Sequence, residues 1–444
     1  MIEQLSKALG DTDDLTRMTI QFGEREGYLI YYSSLAVPEA VQRYIMQPLM
    51  LYASRSESSV PLTLEQFRSR YMAGVVCTYE HLIDKLLDEL YNGAVLIGIH
   101  GEEDVLSVSV GGYPVRALEE PKLHNVLQGP KEAFVESLET NVSLIRRRIR
   151  NAQLQFVPLQ FGGMNQSRGM LVYIEGTTEA AIVDAVMECM RGLRMDYAMD
   201  TAQILREVQK QKGFHLVPYM LYSERSDNAS SALLDGRVII IMDGSPFVLI
   251  APASVGDFFK AQEDIYIFPP YAFLLRCLRY LAFLLAVLLP GIYIGLTSYN
   301  VEIIPYALTI AISGQRMDAP FPSVIELLLL EFLFELLRET TVRMPRLVGS
   351  TLTIAGAFVI GQAAVQAGIV TNIVMIIVSL TMLASFALPY SDLLNVARIV
   401  RIVFILLASF LGLFGLFLGF IALTVQLAKH NRLIPIKPRG ASSE

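Results

Sequence analysis

Apolar and polar positions are patterned differently in the two parts of the chain. Up to about residue 271 charges and apolar residues mix at short periods, and from about residue 273 to 427 long runs carry almost no charge. In the first part, residues 17–35 (RMTIQFGEREGYLIYYSSL) alternate on either side of a polar corner bounded by Gly23 and Gly27, which predicts a hairpin. Helical spacing follows in residues 38–54, 63–76 and 80–91, and strand-like runs in 94–99 and 105–110. Residues 131–150 place Phe134, Leu138, Val142, Ile145 and Ile149 on one helical face. A second α/β unit starts after Asn151, with strands at 157–161 and 169–174 and helices at 179–191 and 199–210. It continues through a polar loop at 223–231 to a hairpin centred on Asp243-Gly244.

The apolar part is organised around residues 349–368, GSTLTIAGAFVIGQAAVQAG, long enough as a helix to cross a bilayer core of roughly 30 Å. One stripe of it holds Ala357, Gly361, Ala364 and Gly368, small residues whose spacing lets helix backbones approach closely. The other side holds Thr351, Ala355, Val359, Gln362 and Gln366, and glutamine amides in hydrocarbon need partners or water. A buried helix with paired amides and a pore or cavity lining both fit this pattern. Residues 280–297 form a span kinked at Pro290, residues 298–322 a loop, and residues 373–388 and 400–427 two further spans. The last span repeats the small-residue spacing in Ala408, Gly412, Gly415 and Gly419. Residues 323–338 are short for a crossing and carry Glu331 and Glu335 on one face, an acidic vestibule candidate. Whether that segment spans or lies at the interface sets the side of the C-terminal tail, and both arrangements stay open.

The expected class is thus an α/β N-terminal cytoplasmic region of two subdomains, 1–150 and 151–254, followed by an α-helical transmembrane bundle. An amphipathic connector at 255–272 leads to about five helices within 273–428, and a polar tail closes the chain at 429–444. The opening residues are polar and acidic, so no cleaved signal is expected and the N-terminal region is assigned to the cytoplasm. Cys77, Cys189 and Cys277 are scattered, which predicts neither a disulfide framework nor a metal site. A net charge of −7 argues against nucleic acid as a partner. The basic cluster Arg146, Arg147, Arg148 and Arg150 ends a helix, where cations suit the dipole, and predicts an inter-subunit or inter-domain contact. No phosphate-binding loop, HExxH helix or GxSxG elbow occurs, so no enzyme, catalytic residue, metal or cofactor is expected.

Several stretches resemble the spore germination receptor A-subunit family, the GerA type that includes the SpoVAF-like proteins. They are ESLETNVSLIRRRIR at 136–150, GRVIIIMDGSPFVLIAPAS at 236–254, LRYLAFLLAVLLPGIYIGL at 278–296, PFPSVIELLLLEFLFELLRETTVRMPRLVG at 320–349 and GAFVIGQAAVQAGIV at 356–370. The resemblance implies a membrane subunit in the spore inner membrane that oligomerises into a nutrient-gated cation channel. Its implied partners are a B-type membrane subunit and a C-type lipoprotein. The tail departs from the family's usual hydrophobic ending. The alternatives are a SpoVAF-like accessory channel subunit and, from another class, a secondary transporter, which normally shows repeated halves, and no repeat is visible in the sequence.

Overall fold

The alternation in residues 17–35 forms a hairpin, β1 (Leu15–Phe22) paired antiparallel with β2 (Arg25–Tyr32). This computed structural model describes residues 12–22, 25–53, 63–72, 74–111, 129–212, 216–317, 319–343 and 361–433, with residues 5, 9, 10 and 356. The first of its two compact units carries the α/β region up to Ala253, and the second carries Ser254–Leu433.

After the hairpin come α1 (residues 38–53), α2 (Leu64–Tyr71), β3 (Cys77–Glu80), α3 (Ile83–Tyr91), β4 (Ala94–Ile99) and β5 (Val105–Ser109). Every residue of β4 is buried, because alternate side chains leave a strand on opposite faces and both faces are covered. Val95, Ile97 and Ile99 join a core with Val41, Ile45, Leu64 and Phe67 from α1 and α2. Leu96 joins a second core with Leu86 and Leu90 from α3, together with Leu5 and Leu9.

The second sheet repeats this plan. Helix α4 (Leu138–Arg148) precedes β6 (Leu154–Phe161), β7 (Ser167–Ile174), α5 (Ala180–Arg191), α6 (Thr201–Lys212), β8 (Leu221–Ser223), α7 (Ser226–Leu234), β9 (Val238–Met242) and β10 (Val248–Ala251). The strand orders, β1-β2-β4-β5-β3 and β6-β7-β9-β10-β8, are one order displaced by five. The sequence echoes it: LYNGAVLIGIHG at 90–101 matches LLDGRVIIIMDG at 233–244, and the glycines that correspond, Gly93 with Gly236 and Gly101 with Gly244, all have positive φ. In each copy a phenylalanine ring lies over a glycine of the neighbouring strand. An added Cβ would come within 2.7 Å of Phe22 at Gly27 and 2.6 Å of Phe161 at Gly169. The α/β region is therefore a tandem duplication.

Two expectations are corrected here. The polar run 223–231 is mostly helix α7 rather than loop, because its polar groups are bonded internally. Arg225 forms a two-pronged pair with Asp227 at 3.0 and 2.7 Å, and the Ser230 hydroxyl donates to the Ser226 carbonyl at 2.8 Å. The helix expected across 131–150 begins only at Leu138, where Ser137 caps it by accepting from the Thr140 N–H at 3.3 Å.

In the second unit the connector forms two short 3-10 turns, Val255–Phe259 and Gln262–Ile265. Asp264 receives Arg279 at 2.7 Å, and Phe259 stacks on Tyr280 with centroids 4.2 Å apart. Arg279 and Tyr280 lie on α8 (Pro269–Ser298), so the connector is fastened to the start of that helix. The loop expected at 298–322 contains α9 (Tyr306–Arg316). The segment expected at 323–338 extends to α10 (Ser323–Arg343), about 31 Å long at 1.5 Å per residue, the length of a crossing but with more charge than the two helices that are also apolar enough. Then follow α11 (residues 361–366), α12 (Asn372–Phe386) and α13 (Ser391–Leu433). Among the described residues, two helical stretches, Pro269–Ser298 and Ser391–His430, are long and apolar enough to cross a membrane, the second of them in two arms.

The span expected at 400–427 is not one straight helix. Gly412 has φ 60° and ψ −144°, outside helical space. A Cβ at Gly419 would lie 2.9 Å from Leu407 Cδ1, although a continuous helix would hold those residues ~18 Å apart. The chain folds back at Gly412 into two arms, and Gly415 and Gly419 let the second arm lie against Leu407 and Phe404 of the first.

Candidate functional site in the helical unit

The site is built on α10, whose acids each meet a different partner. Glu331 and Glu335 are one turn apart, and Arg398 and Arg401 are three residues apart on the first arm of α13, so the two rows face each other. Glu331 pairs with Arg401 at 2.9 Å with both side chains buried. Arg401 also approaches the Ser385 hydroxyl at 3.4 Å, and that hydroxyl donates to the Thr381 carbonyl at 2.9 Å. Glu335 is half exposed and accepts from Arg398 at 3.3 Å and Arg338 at 3.4 Å. The two acids expected as an open vestibule thus differ, since Glu331 is enclosed by its ion pair and only Glu335 meets solvent. One turn and a half earlier, Glu326 is fully buried. Its Oε2 accepts from the backbone N–H and the hydroxyl of Thr371, both at 2.9 Å, which caps the N-terminus of α12.

Of the residues expected on the two stripes of 349–368, Thr351, Ala355, Ala357 and Val359 lie outside the described residues. Gly361 is buried against the Met375 methyl, whereas Gln362 and Gln366 are exposed and Ala364 is half buried. Gly368 does not continue the small-residue stripe. With φ +66° it ends the helix, as the Ile369 N–H reaches the Ala364 carbonyl and the Gly368 N–H the Val365 carbonyl, both at 3.0 Å.

The second small-residue set clusters at the α13 reversal. Ala408 is fully buried, and a Cβ at Gly412 would touch the Tyr299 ring at 2.8 Å. The sequence reading missed the partner of this seam, Gly291 and Gly295 of α8. A Cβ there would come within 2.6 Å of Leu416 and 2.8 Å of Leu413. The signal was present as a GxxxG spacing inside an apolar run. Glu326 was also missed as a site residue, because it sits off the face shared by the other acids.

The four clustered arginines separate in the α/β unit. Arg146 is fully buried, bonded through Nε and a terminal nitrogen to Asp14 at 2.9 and 2.7 Å, and lies 4.5 Å from the Tyr32 ring centroid and 4.9 Å from that of Phe156. Because Asp14 precedes β1 and Phe156 lies in β6, this pair joins the two repeats. Arg148 pairs with Glu132 at 2.7 Å, Arg147 is half buried and Arg150 is exposed. The cluster is therefore not one surface patch, because Arg146 is spent within the chain.

A family profile described as "Bacillus/Clostridium GerA spore germination protein" matches residues 3–433. The chain belongs to the GerA family. Spore germination protein KA of Bacillus subtilis (strain 168) is 36% identical over 96% of this chain and 78% of its own length. Spore germination protein B1 of the same organism is 32% identical over 98% of this chain and 90% of its own length. The uncharacterized membrane protein YfkQ of the same organism is 31% identical over 96% of this chain and 83% of its own length. The crystal structure of the N-terminal domain of the A subunit of the Bacillus megaterium spore germinant receptor GerK3 aligns with a TM-score of 0.44 and 24% identity. That alignment covers 57% of this chain and 93% of that one.

Proposed function

We propose that this chain is the A-type subunit of a spore germinant receptor and that copies of it assemble into a nutrient-gated cation channel. The observation that carries the reading is the reach of the GerA match, which spans the α/β region and the helical region alike. Relatives named as spore germination proteins extend over nearly the whole chain, which supports the receptor role. In this reading the helices sit in the spore inner membrane and the α/β duplication lies in the cytoplasm. A B-type membrane subunit and a C-type lipoprotein complete the receptor. No catalytic step is assigned to the chain.

The conduction path is proposed along Thr351, Ala355, Val359, Gln362 and Gln366. The exposure of Gln362 and Gln366 beside the buried Gly361 supports this orientation, since the amide side is left for a neighbouring copy or water. Glu335, half exposed, is the acid placed to attract cations, as carboxylate rings do in cation channels. The seam of Ala408, Gly412, Gly415 and Gly419 packs the helices, as do Gly361 and, in the same proposal, Ala357 and Ala364.

Reconstitution of the full-length chain in planar bilayers tests the proposal. Cation conductance is expected, with steady leak from Val359→Ala because a smaller residue widens and wets an apolar constriction. Glu335→Gln should lower conductance. A native mass that stays monomeric in bilayer-mimicking detergent, with no conductance for either chain, would overturn it.

A further inference from the structure

Beneath the Glu331–Arg401 pair lies a second polar group of atoms whose contents the proposed channel does not use. The helix start Ser323-Val-Ile-Glu326 has the spacing of a capping box, in which the acid would fold back onto its own helix. It does not do so here, because α10 begins at Ser323 itself and Glu326 reaches across to cap α12 through Thr371. Only Oε2 is used in that cap. Glu326 Oε1 makes no hydrogen bond among the described residues, and Ser323 Oγ and Tyr293 Oη meet at most loosely, though all three side chains are more than nine-tenths buried. They belong to one cluster: the Tyr293 hydroxyl faces Ser323 and Thr371 and lies within electrostatic range of Glu326.

Three elements thus contribute four buried or part-buried oxygen-bearing side chains to this cluster: Tyr293 from α8, Ser323 and Glu326 from α10, and Thr371 at the head of α12. Buried polar atoms left without partners destabilise a fold, a carboxylate oxygen more than a hydroxyl. No cationic side chain pairs with Glu326 among the described residues. Arg316 is the charged group nearest in effect, and it acts on Tyr293 through space. We propose that Glu326, Tyr293, Ser323 and Thr371 form a buried binding site for one monovalent metal cation. The charge count selects the class. One carboxylate, already partly balanced by the positive end of α12, matches a single positive charge, and a divalent ion would leave an excess buried charge. Hard hydroxyl and carboxylate oxygens suit sodium or potassium over softer metals. The ion ties α8, α10 and α12 together where, among the described residues, no side-chain cation does. The site is separate from the path assigned to Gln362 and Gln366, so it stands whether or not the chain conducts.

Thermal unfolding of the full-length chain in detergent tests the site, followed by circular dichroism in sodium chloride, potassium chloride, calcium chloride or N-methyl-D-glucamine chloride at matched ionic strength. Sodium or potassium should raise Tm saturably, by about 2–4 °C at tenfold excess over half-saturation, relative to the organic cation. Glu326→Gln keeps the size and the Thr371 acceptor and should abolish the response. Tyr293→Phe and Ser323→Ala should each raise the half-saturating concentration several-fold. Equal Tm in all four salts would overturn the proposal, as would a response to calcium alone or a full response in Glu326→Gln. If Glu326→Gln does not fold, unchanged half-saturation in both hydroxyl variants would also overturn it.

Discussion

Each unit of the chain buries an arginine–carboxylate pair that joins segments far apart in sequence, Arg146–Asp14 and Arg401–Glu331, and these two are finished differently. In the α/β unit Arg146 holds Asp14 with two bonds, donates to the Asn151 and Leu154 carbonyls at 3.0 Å, and is flanked by two aromatic rings. Asp14 is further bonded by Thr12 at 2.9 Å and Ser34 at 3.0 Å. In the helical unit Arg401 Nε and Glu331 Oε1 have no partner among the described residues. A fully satisfied pair fixes one geometry, because every alternative loses bonds. A half-satisfied pair leaves atoms that another arrangement could satisfy, so it is suited to an element that changes state. The contrast assigns rigidity to the joint between the α/β repeats and adaptability to the contact between α10 and α13.

The largest effect should come from Arg146→Met. It strands the Asp14 carboxylate in a closed interior and should cost about 3–5 kcal/mol in urea unfolding of the α/β region. A loss under about 1 kcal/mol would end the idea of a locked joint. Glu331→Gln or Arg401→Met should cost less, about 1–3 kcal/mol, because part of each group is already unsatisfied. Replacing both, as Glu331→Leu with Arg401→Met, should recover most of that loss in detergent melting curves. Additive losses would show the pair to be as tightly integrated as the Arg146 joint.

A smaller effect follows from pH. Burial pushes the Tyr32 and Tyr91 hydroxyls above the ordinary value of 10.0. The folded chain therefore holds those protons more tightly than the unfolded one. Their contribution to stability is complete below pH 10.0 and declines as pH rises beyond it. Tyr32→Phe should flatten the alkaline limb of a Tm-versus-pH curve, and an unchanged limb would exclude this tyrosine as its source. The smallest effect is expected at the exposed Arg168, which meets Glu139 at 3.0 Å and Asp243 at 3.5 Å in water. Arg168→Ala should leave Tm unchanged, and a clear drop would mean that the surface contributes to the repeat more than its solvated pairs allow.

Where local pattern alone decides structure, the sequence was readable. The β1–β2 hairpin and the Asp243-Gly244 turn followed from alternation around glycine-bearing corners. The division into an α/β and an apolar region followed from charge distribution. The duplication was harder to see, since only the central strand and its flanking glycines keep matching residues, as in LYNGAVLIGIHG and LLDGRVIIIMDG. The helix at 226–234 resembles a loop in the sequence because its serines and Asp227 look solvated until Arg225 is placed beside them. By spacing Gly412 is one step in a packing stripe, because composition cannot distinguish a glycine that permits close approach from one that reverses the chain. The partners of Glu331, Glu326 and Arg146 come from residues 70, 45 and 132 positions away. No local spacing encodes such pairs.

The central functional claim concerns which side of residues 361–366 meets water in the assembled protein. Single cysteines at Gln362, Gln366 and Gly361, in an otherwise cysteine-free full-length chain, can be challenged with an aqueous thiol reagent in sealed membrane vesicles. The account predicts rapid modification at Gln362 and Gln366, with a matching change in cation flux, and protection at Gly361 against Met375. Modification concentrated at Gly361, with Gln362 and Gln366 protected and flux unaltered, would contradict it.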